Sequence, residues 1–146
     1  MFQGSHAINM DAKGRIAVPT RLREIFAGAS DSRIVVTAHF SDPCLVIYPE
    51  TEWQVVLPKL QKLASFNRAS LRIQRLMIGY ATSLELDGNG RALLSAPLRD
   101  FAELDKKLML VGLGNKLELW SEAKWLESIA AEDDGPIPDD LANLVL

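Results

Sequence analysis

The chain has 146 residues, of which 48% are hydrophobic and 24% are charged. This composition is typical of a globular protein, and it excludes the collagen-like, largely disordered and disulfide-rich classes. A chain of this length can bury one good core or two small fused cores. The formal net charge of −3 would by itself argue against nucleic-acid binding.

The charge is divided unevenly along the chain. Residues 118–146 contain eight acidic side chains against one basic side chain, Lys124, which gives this segment a net charge of −7. Residues 1–117 contain fifteen basic and eleven acidic side chains, which gives a net charge of +4. The body is therefore mildly basic and the tail is acidic.

The cysteine content and the hydropathy pattern favour a cytoplasmic protein. Cys44 is the only cysteine, so it cannot form an internal disulfide and supplies too few thiols for a structural zinc site. The first residues lack the basic and apolar regions of a signal peptide. The longest wholly apolar stretch, residues 108–114, is much shorter than a membrane span.

The chain contains one sequence unit twice. With a shift of 76 residues, the segment 8–25 aligns with the segment 84–101, and five of the 18 positions are identical. Further along, with a shift of 72, residues 44–53 align with residues 116–125. The order of elements is kept at both ends, so we interpret the match as an internal duplication.

The same elements are predicted in each copy. In chain order, the first copy is predicted to contain two short strands, one helical turn, two β-rich runs and a closing helix, at residues 7–10, 16–18, 20–26, 34–37, 45–48 and 50–63. A connecting helix, capped by Asn67, extends to about Tyr80. The second copy repeats the pattern at residues 84–86, 92–94, 97–104, 108–111, 117–120 and 122–131. An acidic tail with a short terminal helix follows.

These elements predict an α+β, β-rich fold. Strands this short cannot form two independent sandwiches, so we expect the two copies to pack about a pseudo-two-fold axis into one small barrel with peripheral helices. The predicted division is a first repeat at 5–53, a helical connection at 54–80, a second repeat at 81–125, and a C-terminal helix with the acidic tail at 126–146.

A five-residue element, Asp-x-x-Gly-Arg, occurs once in each copy. A hairpin turn is its simplest interpretation. Asp11 and Asp87 begin the turn by bonding to their own backbone, and Gly14 and Gly90 take the positive φ. These four residues are therefore predicted to form the turns.

The arginine of this element has no role in the turn geometry. Arg15 and Arg91 place two guanidinium groups at matching positions, and Lys13 adds a third cation. Guanidinium groups bind phosphates and guanine edges through paired hydrogen bonds. Three further arginines follow about one helical turn later and either extend this basic patch or are solvated: Arg21, Arg23 and Arg99.

The doubled Asp-x-x-Gly-Arg element, the GNGR run of the second copy and the LELW run resemble the MraZ family of bacterial transcriptional regulators. The resemblance extends from residue 1 to about residue 129. It implies two SpoVT/AbrB-type units that form a swapped-hairpin, double-split β-barrel. It also implies a ring-like homo-oligomer that represses its own division and cell-wall gene cluster by binding repeated promoter boxes in double-stranded DNA.

The resemblance also implies which residues contact DNA. In the family these are the basic residues of the two loops, which correspond here to Lys13, Arg15 and Arg91. Asn89 stands where the first loop has Lys13, so we expect the first loop to contribute more to affinity. A nucleoid-associated location in the cytoplasm is implied as well.

A second basic segment lies between the copies. No acidic residue occurs between Glu52 and Glu85, whereas five basic residues do. These cations form a solvated helix face, meet acids of a neighbouring subunit, or attract DNA at long range: Lys59, Lys62, Arg68, Arg72 and Arg75.

Nothing in the sequence indicates an enzyme. His6 and His39 are isolated, and neither has metal-ligand spacing. We expect no cofactor, no bound metal, no membrane contact and no small-molecule substrate. The alternative to a DNA-binding repressor is an AbrB/antitoxin-like interaction module that captures a protein partner through its acidic, then apolar, C-terminal tail.

Overall fold

The same order of strands and helices is found in both halves of the chain. The computed structural model describes residues 1–131 and 135–145. Eight strands are found in these residues: β1 Phe2–Asn9, β2 Arg15–Ala17, β3 Arg33–Ala38, β4 Leu45–Pro49, β5 Thr82–Glu85, β6 Arg91–Leu93, β7 Lys107–Gly114 and β8 Leu117–Ser121. The helices are α1 Thr20–Ser30, α2 Glu50–Gln61, α3 Arg68–Met77, α4 Ala96–Phe101, α5 Glu122–Ala130 and α6 Asp139–Ala142. None of these helices is both long and apolar enough to cross a membrane.

The strands form one antiparallel sheet of six strands and one separate ribbon of two. The sheet order is β1-β7-β8-β4-β3-β5, and the ribbon pairs β2 with β6. The counterparts in the two copies are β1 and β5, β3 and β7, and β4 and β8. When each strand is exchanged for its counterpart, the same order results, read from the opposite edge of the sheet. Each copy therefore adds its first strand to the hairpin of the other, β1 beside β7 and β5 beside β3.

The α+β, sheet-rich class is confirmed, whereas the closed barrel is not. The six-stranded sheet is open, with β1 and β5 at its edges. The strands β2 and β6, which follow the two edge strands along the chain, pair with each other instead of closing the sheet.

The main core lies between the sheet, the ribbon, α1 and α4. Ile16 from β2 and Ala92 from β6 are 1% and 5% exposed and fix the ribbon to this core. Phe2 and Phe26 pack with ring centroids 4.8 Å apart. Trp53 belongs to a second buried cluster with Tyr48 under α2 and α3.

Several elements differ in length from those predicted. Strand β1 begins at Phe2 rather than at residue 7, because its polar residues lie exposed on an edge strand whose backbone pairs with β7. Helix α1 extends to Ser30, since Leu22, Phe26 and Ser30 follow one another at four-residue intervals along its buried side. Ser30 also donates its hydroxyl to the carbonyl of Arg33 at 2.6 Å.

The C-terminal segment is only partly described. Helix α5 buries none of its residues, and its apolar side chains Leu126 and Ile129 are 59% and 65% exposed. The short terminal helix corresponds to α6. Three acidic residues of the predicted tail lie outside the described residues: Glu132, Asp133 and Asp134.

Candidate nucleic-acid interface

The first Asp-x-x-Gly-Arg loop is a turn organised by one carboxylate. Asp11 Oδ1 accepts hydrogen bonds from the backbone N–H groups of Lys13 at 3.0 Å and Arg15 at 2.9 Å. The N–H of Gly14 donates to the carbonyl of Asp11 at 3.0 Å. Gly14 has φ +90, a left-handed conformation that favours glycine. These contacts fix the direction in which the chain enters β2.

The second loop repeats this geometry. Asp87 Oδ1 accepts from the N–H groups of Asn89 and Arg91, both at 2.9 Å. The N–H of Gly90 donates to the carbonyl of Asp87 at 2.9 Å, and Gly90 has φ +72. The two loops therefore have the same backbone hydrogen bonds at the third residue of the Asp-x-x-Gly-Arg element and at its arginine.

The loops differ in the side chain of the arginine. Arg15 Nε donates to Asp11 Oδ2 at 2.8 Å. Within the described residues, the Arg91 guanidinium has no such partner. The backbone and side-chain hydrogen bonds from Arg15 hold the pKa of Asp11 below its ordinary value. The backbone hydrogen bond from Arg91 lowers the pKa of Asp87 in the same direction. Both carboxylates are consequently charged at neutral pH.

The β2–β6 ribbon brings the two arginines to one face. Arg15 pairs with Leu93 and Ala17 pairs with Arg91, while the central pair of Ile16 and Ala92 points into the core. Because side chains alternate along a strand, both guanidinium groups lie on the outer side of the ribbon. Diagonal neighbours of this kind lie roughly 7–8 Å apart, and their Cβ atoms are somewhat closer.

A shallow cavity of about 450 Å³ runs along this face. Arg15, Arg91 and Lys106 line it together with Asn9 and Asp11. Such a cationic surface can bind a polyanion, and its guanidinium groups can form paired hydrogen bonds to phosphates or base edges.

The predicted basic residues are not all placed equally in this cavity. Lys13 does not line it and is exposed at the tip of the first loop. The sequence did not point to Lys106. It is placed there because the N–H of Met10 donates to its carbonyl at 2.8 Å.

A family model described as "MraZ protein, putative antitoxin-like" matches residues 1–76 and, a second time, residues 77–142. The chain belongs to the MraZ family. A protein of Saccharophagus degradans named "Transcriptional regulator MraZ" is 63% identical over 147 residues, covering 100% of both chains. Proteins of the same name from Marinobacter nauticus and Tolumonas auensis are 52% and 49% identical, covering 92% and 95% of this chain and 93% and 91% of theirs. The double match agrees with the internal duplication.

The second basic segment of this MraZ-family chain lies mainly on α3. Arg68, Arg72 and Arg75 line a cavity of about 380 Å³ beside Tyr80. Within the described residues none of these three arginines forms an ion pair. The three roles given above for these cations stay predictions.

The structure also brings together three residues that are far apart in the sequence. His39, Cys44 and Glu118 have side-chain ligand atoms within 4.8 Å of one another. His39 Nδ1 accepts from the backbone N–H groups of Ser41 and Asp42, both at 3.0 Å. Its Nε2 therefore carries the proton and faces Glu118 Oε2 at 3.3 Å.

A tryptophan completes this buried group. Trp120 Nε1 donates to Glu118 Oε1 at 3.0 Å. Burial raises the pKa of Glu118, but the hydrogen bonds from His39 and Trp120 outweigh burial and leave this pKa below its ordinary value. Burial raises the pKa of the Cys44 thiol. The ring N–H of His39 and the carboxylate of Glu118 are already hydrogen-bonded to each other. We therefore interpret the cluster as a structural link between the two copies.

Proposed function

We propose that the chain is a sequence-specific DNA-binding repressor of transcription that reads DNA with the outer face of the β2–β6 ribbon. The observation that carries this proposal is the convergence of Arg15 and Arg91, from different copies, on one side of that ribbon. The major groove of B-DNA admits a two-stranded β-ribbon. The names of the relatives support a role in transcription.

In the proposed complex, some cations of this face contact bases and others contact phosphates. Arg15 and Arg91 donate paired hydrogen bonds to guanine O6 and N7, which is the commonest base-specific contact. Lys13 at the loop tip and Lys106 in the lining of the cavity neutralise phosphates and set the register of the protein on the duplex. Arg15 exchanges its bond to Asp11 for a bond to the base.

An apolar side chain accompanies the arginines. Leu93 lies opposite Arg15 in the ribbon and is 55% exposed. An exposed leucine between two arginines contributes little to the stability of the fold. It can contact the methyl group that thymine presents in the major groove. We therefore assign Leu93 to an apolar base contact beside the guanine contacts.

We propose that the protein acts as a ring-like homo-oligomer on repeated boxes in the promoter of its own division and cell-wall gene cluster. One ribbon offers few contacts, whereas a second ribbon of an already bound ring meets its box at a high effective concentration. Leu126 and Ile129 on α5 are exposed apolar residues of the kind that a second copy covers. Such a ring multiplies the basic face although each chain has a net charge of −3.

The proposal also includes a location, a set of requirements and a domain division. It acts in the cytoplasm at the nucleoid, and it needs no enzyme chemistry, cofactor, metal, membrane or small-molecule substrate. The division into repeats at 5–53 and 81–125, joined by residues 54–80 and followed by residues 126–146, is part of the same proposal.

The test is a titration of the full chain against DNA from upstream of its own gene, with shuffled DNA as the control. We expect preferential binding to the upstream DNA. The affinity should fall with salt, with a log–log slope of roughly −0.9 per phosphate contacted. Solution mass measured on the same sample should exceed that of one chain. Equal binding to both DNAs would contradict sequence-specific recognition.

A second candidate function is the capture of a protein partner by the C-terminal tail. The observation in its favour is that the described apolar residues of this tail are exposed: Ile137, Leu141, Leu144 and Val145. Deletion of residues 133–146 separates the two functions. The deletion should leave DNA binding intact under the leading proposal, whereas it should abolish partner capture under the second.

A further inference from the structure

Two arginines outside the loops pack against the loop glycines, and each belongs to the other copy. A Cβ added to Gly14 would lie 2.9 Å from both Nε and Cζ of Arg99. A Cβ added to Gly90 would lie 2.8 Å from Cδ and 3.2 Å from Nε of Arg23. The side chain of each arginine therefore packs against a buried glycine, in space that a Cβ at that position would enter.

The backbone makes the same crosswise connection. The carbonyl of Gly14 accepts a hydrogen bond from the N–H of Leu94 at 3.0 Å. The carbonyl of Gly90 accepts one from the N–H of Val18 at 2.8 Å. Helix α4, which carries Arg99, begins two residues after Leu94, and α1 begins two residues after Val18. Each loop is thus held by one short segment of the opposite copy.

Among the residues that the structure describes, neither Arg23 nor Arg99 forms an ion pair. The Nε atoms of Arg23 and Arg99 are buried and have no hydrogen-bond partner among the described residues. Arg23 Nη2 donates to Thr20 Oγ1 at 2.7 Å, which is a neutral partner in its own helix. Burial of an unpaired donor is unfavourable unless other contacts compensate. Packing against the glycine of the opposite copy is the contact that both arginines share.

We propose that Arg99 is a positioning residue for the loop 11–15 and that Arg23 is one for the loop 87–91. Each DNA-contacting loop then takes its shape from the opposite copy, and the ribbon with its two loops acts as one unit. This inference rests on the proposed function, because it assumes that Arg15 and Arg91 contact DNA. It predicts that the effect of each positioning arginine passes through one specific loop arginine.

A double-mutant cycle tests this pairing. Arg99→Ala should weaken binding to the promoter DNA by about tenfold, in the range of coupling found between residues in contact. Repeated in the Arg15→Ala protein, Arg99→Ala should have only a small further effect, through the phosphate contact proposed for Lys13 in the same loop. Repeated in the Arg91→Ala protein, the full tenfold loss should persist. An equal loss in both backgrounds would overturn the proposal. So would coupling to Arg91.

The conservative variant separates packing from direct phosphate contact. Lysine keeps the positive charge but lacks the flat guanidinium that lies on Gly14. Arg99→Lys should therefore restore only a small part of the affinity lost in Arg99→Ala. Full recovery would show that Arg99 binds phosphate directly, and it would contradict a positioning role. Arg99→Lys also serves as the test variant if Arg99→Ala does not fold.

An NMR measurement without DNA tests the positioning role independently of DNA binding. In a ¹H–¹⁵N spectrum, Arg99→Ala should shift the amide signals of Gly14 and Arg15 and leave those of Gly90 and Arg91 in place. Arg23→Ala should give the reverse pattern. Unchanged loop signals would overturn the proposal. If Arg15→Ala leaves DNA affinity unchanged, the proposed function fails, and the spectra alone decide the positioning role.

Discussion

Arg15 and Arg91 lie diagonally across the β2–β6 ribbon, because Arg15 pairs with Leu93 and Arg91 pairs with Ala17. The two residues are 76 positions apart in the sequence and belong to different copies of one unit. Neither copy alone could form this face, since each contributes one strand of the ribbon.

The second loop depends on an acceptor oxygen at position 87, and the charged carboxylate is a stronger acceptor than an amide. Asp87 Oδ1 accepts from two backbone N–H groups, and the Arg91 side chain does not bond to it in the described structure. Asp87→Asn should therefore keep the amide signals of Asn89 and Arg91 in place, whereas Asp87→Ala should shift them and weaken DNA binding. Identical spectra for the two variants would contradict this role.

The same carboxylate gives the loop a defined pH dependence. Its pKa is lowered in the folded chain, so its stabilising contribution is present above the unfolded value of about 3.9 and is lost as the pH falls through the folded pKa. The loop amide signals should thus hold at pH 5 and move only below about pH 4. In Asp87→Asn this movement should disappear.

The left-handed glycine of the first loop predicts a stability difference between two substitutions. Gly14→Ala combines a positive φ with contact to Arg99, and should lower the free energy of unfolding by about 1–3 kcal/mol. Gly28→Ala is the matched control, because Gly28 lies within α1 and an added Cβ would meet no atom within 4 Å beyond the adjacent residues and the nearby helix backbone. The control should stabilise the protein by up to about 1 kcal/mol in urea unfolding. Equal effects would show that the loop conformation is not as described.

The hydrogen bond from Trp120 to the buried Glu118 predicts that substitutions of Trp120 and Trp125 differ in their effect on stability. Trp120→Phe removes the N–H donor to Glu118 and should destabilise the protein by about 1–3 kcal/mol, because a buried acceptor loses its partner. Trp125→Phe is the control, since Trp125 packs on Trp120 at 5.9 Å without bonding to Glu118. Urea unfolding measures both.

Acid unfolding provides a second readout of this network. Glu118 has a lowered pKa, so its contribution is present above its unfolded value of about 4.3 and is lost as the pH falls through the folded value. Removal of the Trp120 hydrogen bond raises the folded pKa. Trp120→Phe should therefore begin to lose stability at a higher pH than the native chain, and an unchanged acid transition would argue against the bond.

The apolar contact assigned to Leu93 can be tested with altered DNA. Leu93→Ser should change the free energy of unfolding by less than about 0.5 kcal/mol, since the side chain is on the surface. It should weaken promoter binding measured by fluorescence anisotropy. Replacement of thymine by uracil at the contacted position should weaken the native protein but not Leu93→Ser. Equal sensitivity of both proteins to uracil would refute the methyl contact.

The local elements could be predicted from the sequence because their signals are local. Asn67 caps α3 through hydrogen bonds to the N–H groups of Ala69 and Ser70, and the apolar periodicity marked the strands of both hairpins. The sequence singles out Arg15 and Arg91 because a turn does not require a guanidinium after its glycine. Whether these two residues bind DNA remains a prediction.

The pairing between copies could not be predicted. The two copies carry interchangeable patterns, so β1 could pair within its own copy or with β7 of the other, and sequence periodicity fits both. The contact of Arg99 with Gly14 and the place of Lys106 depend on this exchange. A signal for the positioning arginines was nevertheless present, since the shift of 76 aligns Arg23 with Arg99.

The most direct test of the account compares two charge-matched double variants in their binding to the upstream DNA. One variant combines Arg15→Ala with Arg91→Ala on the ribbon, and the other combines Arg68→Ala with Arg72→Ala on α3. The account predicts that only the ribbon variant loses specific binding, with unchanged solution mass. Its salt slope should stay close to that of the native chain, because Lys13 and Lys106 keep the proposed phosphate contacts. Equal affinity of the two variants would contradict the claim that the ribbon reads DNA.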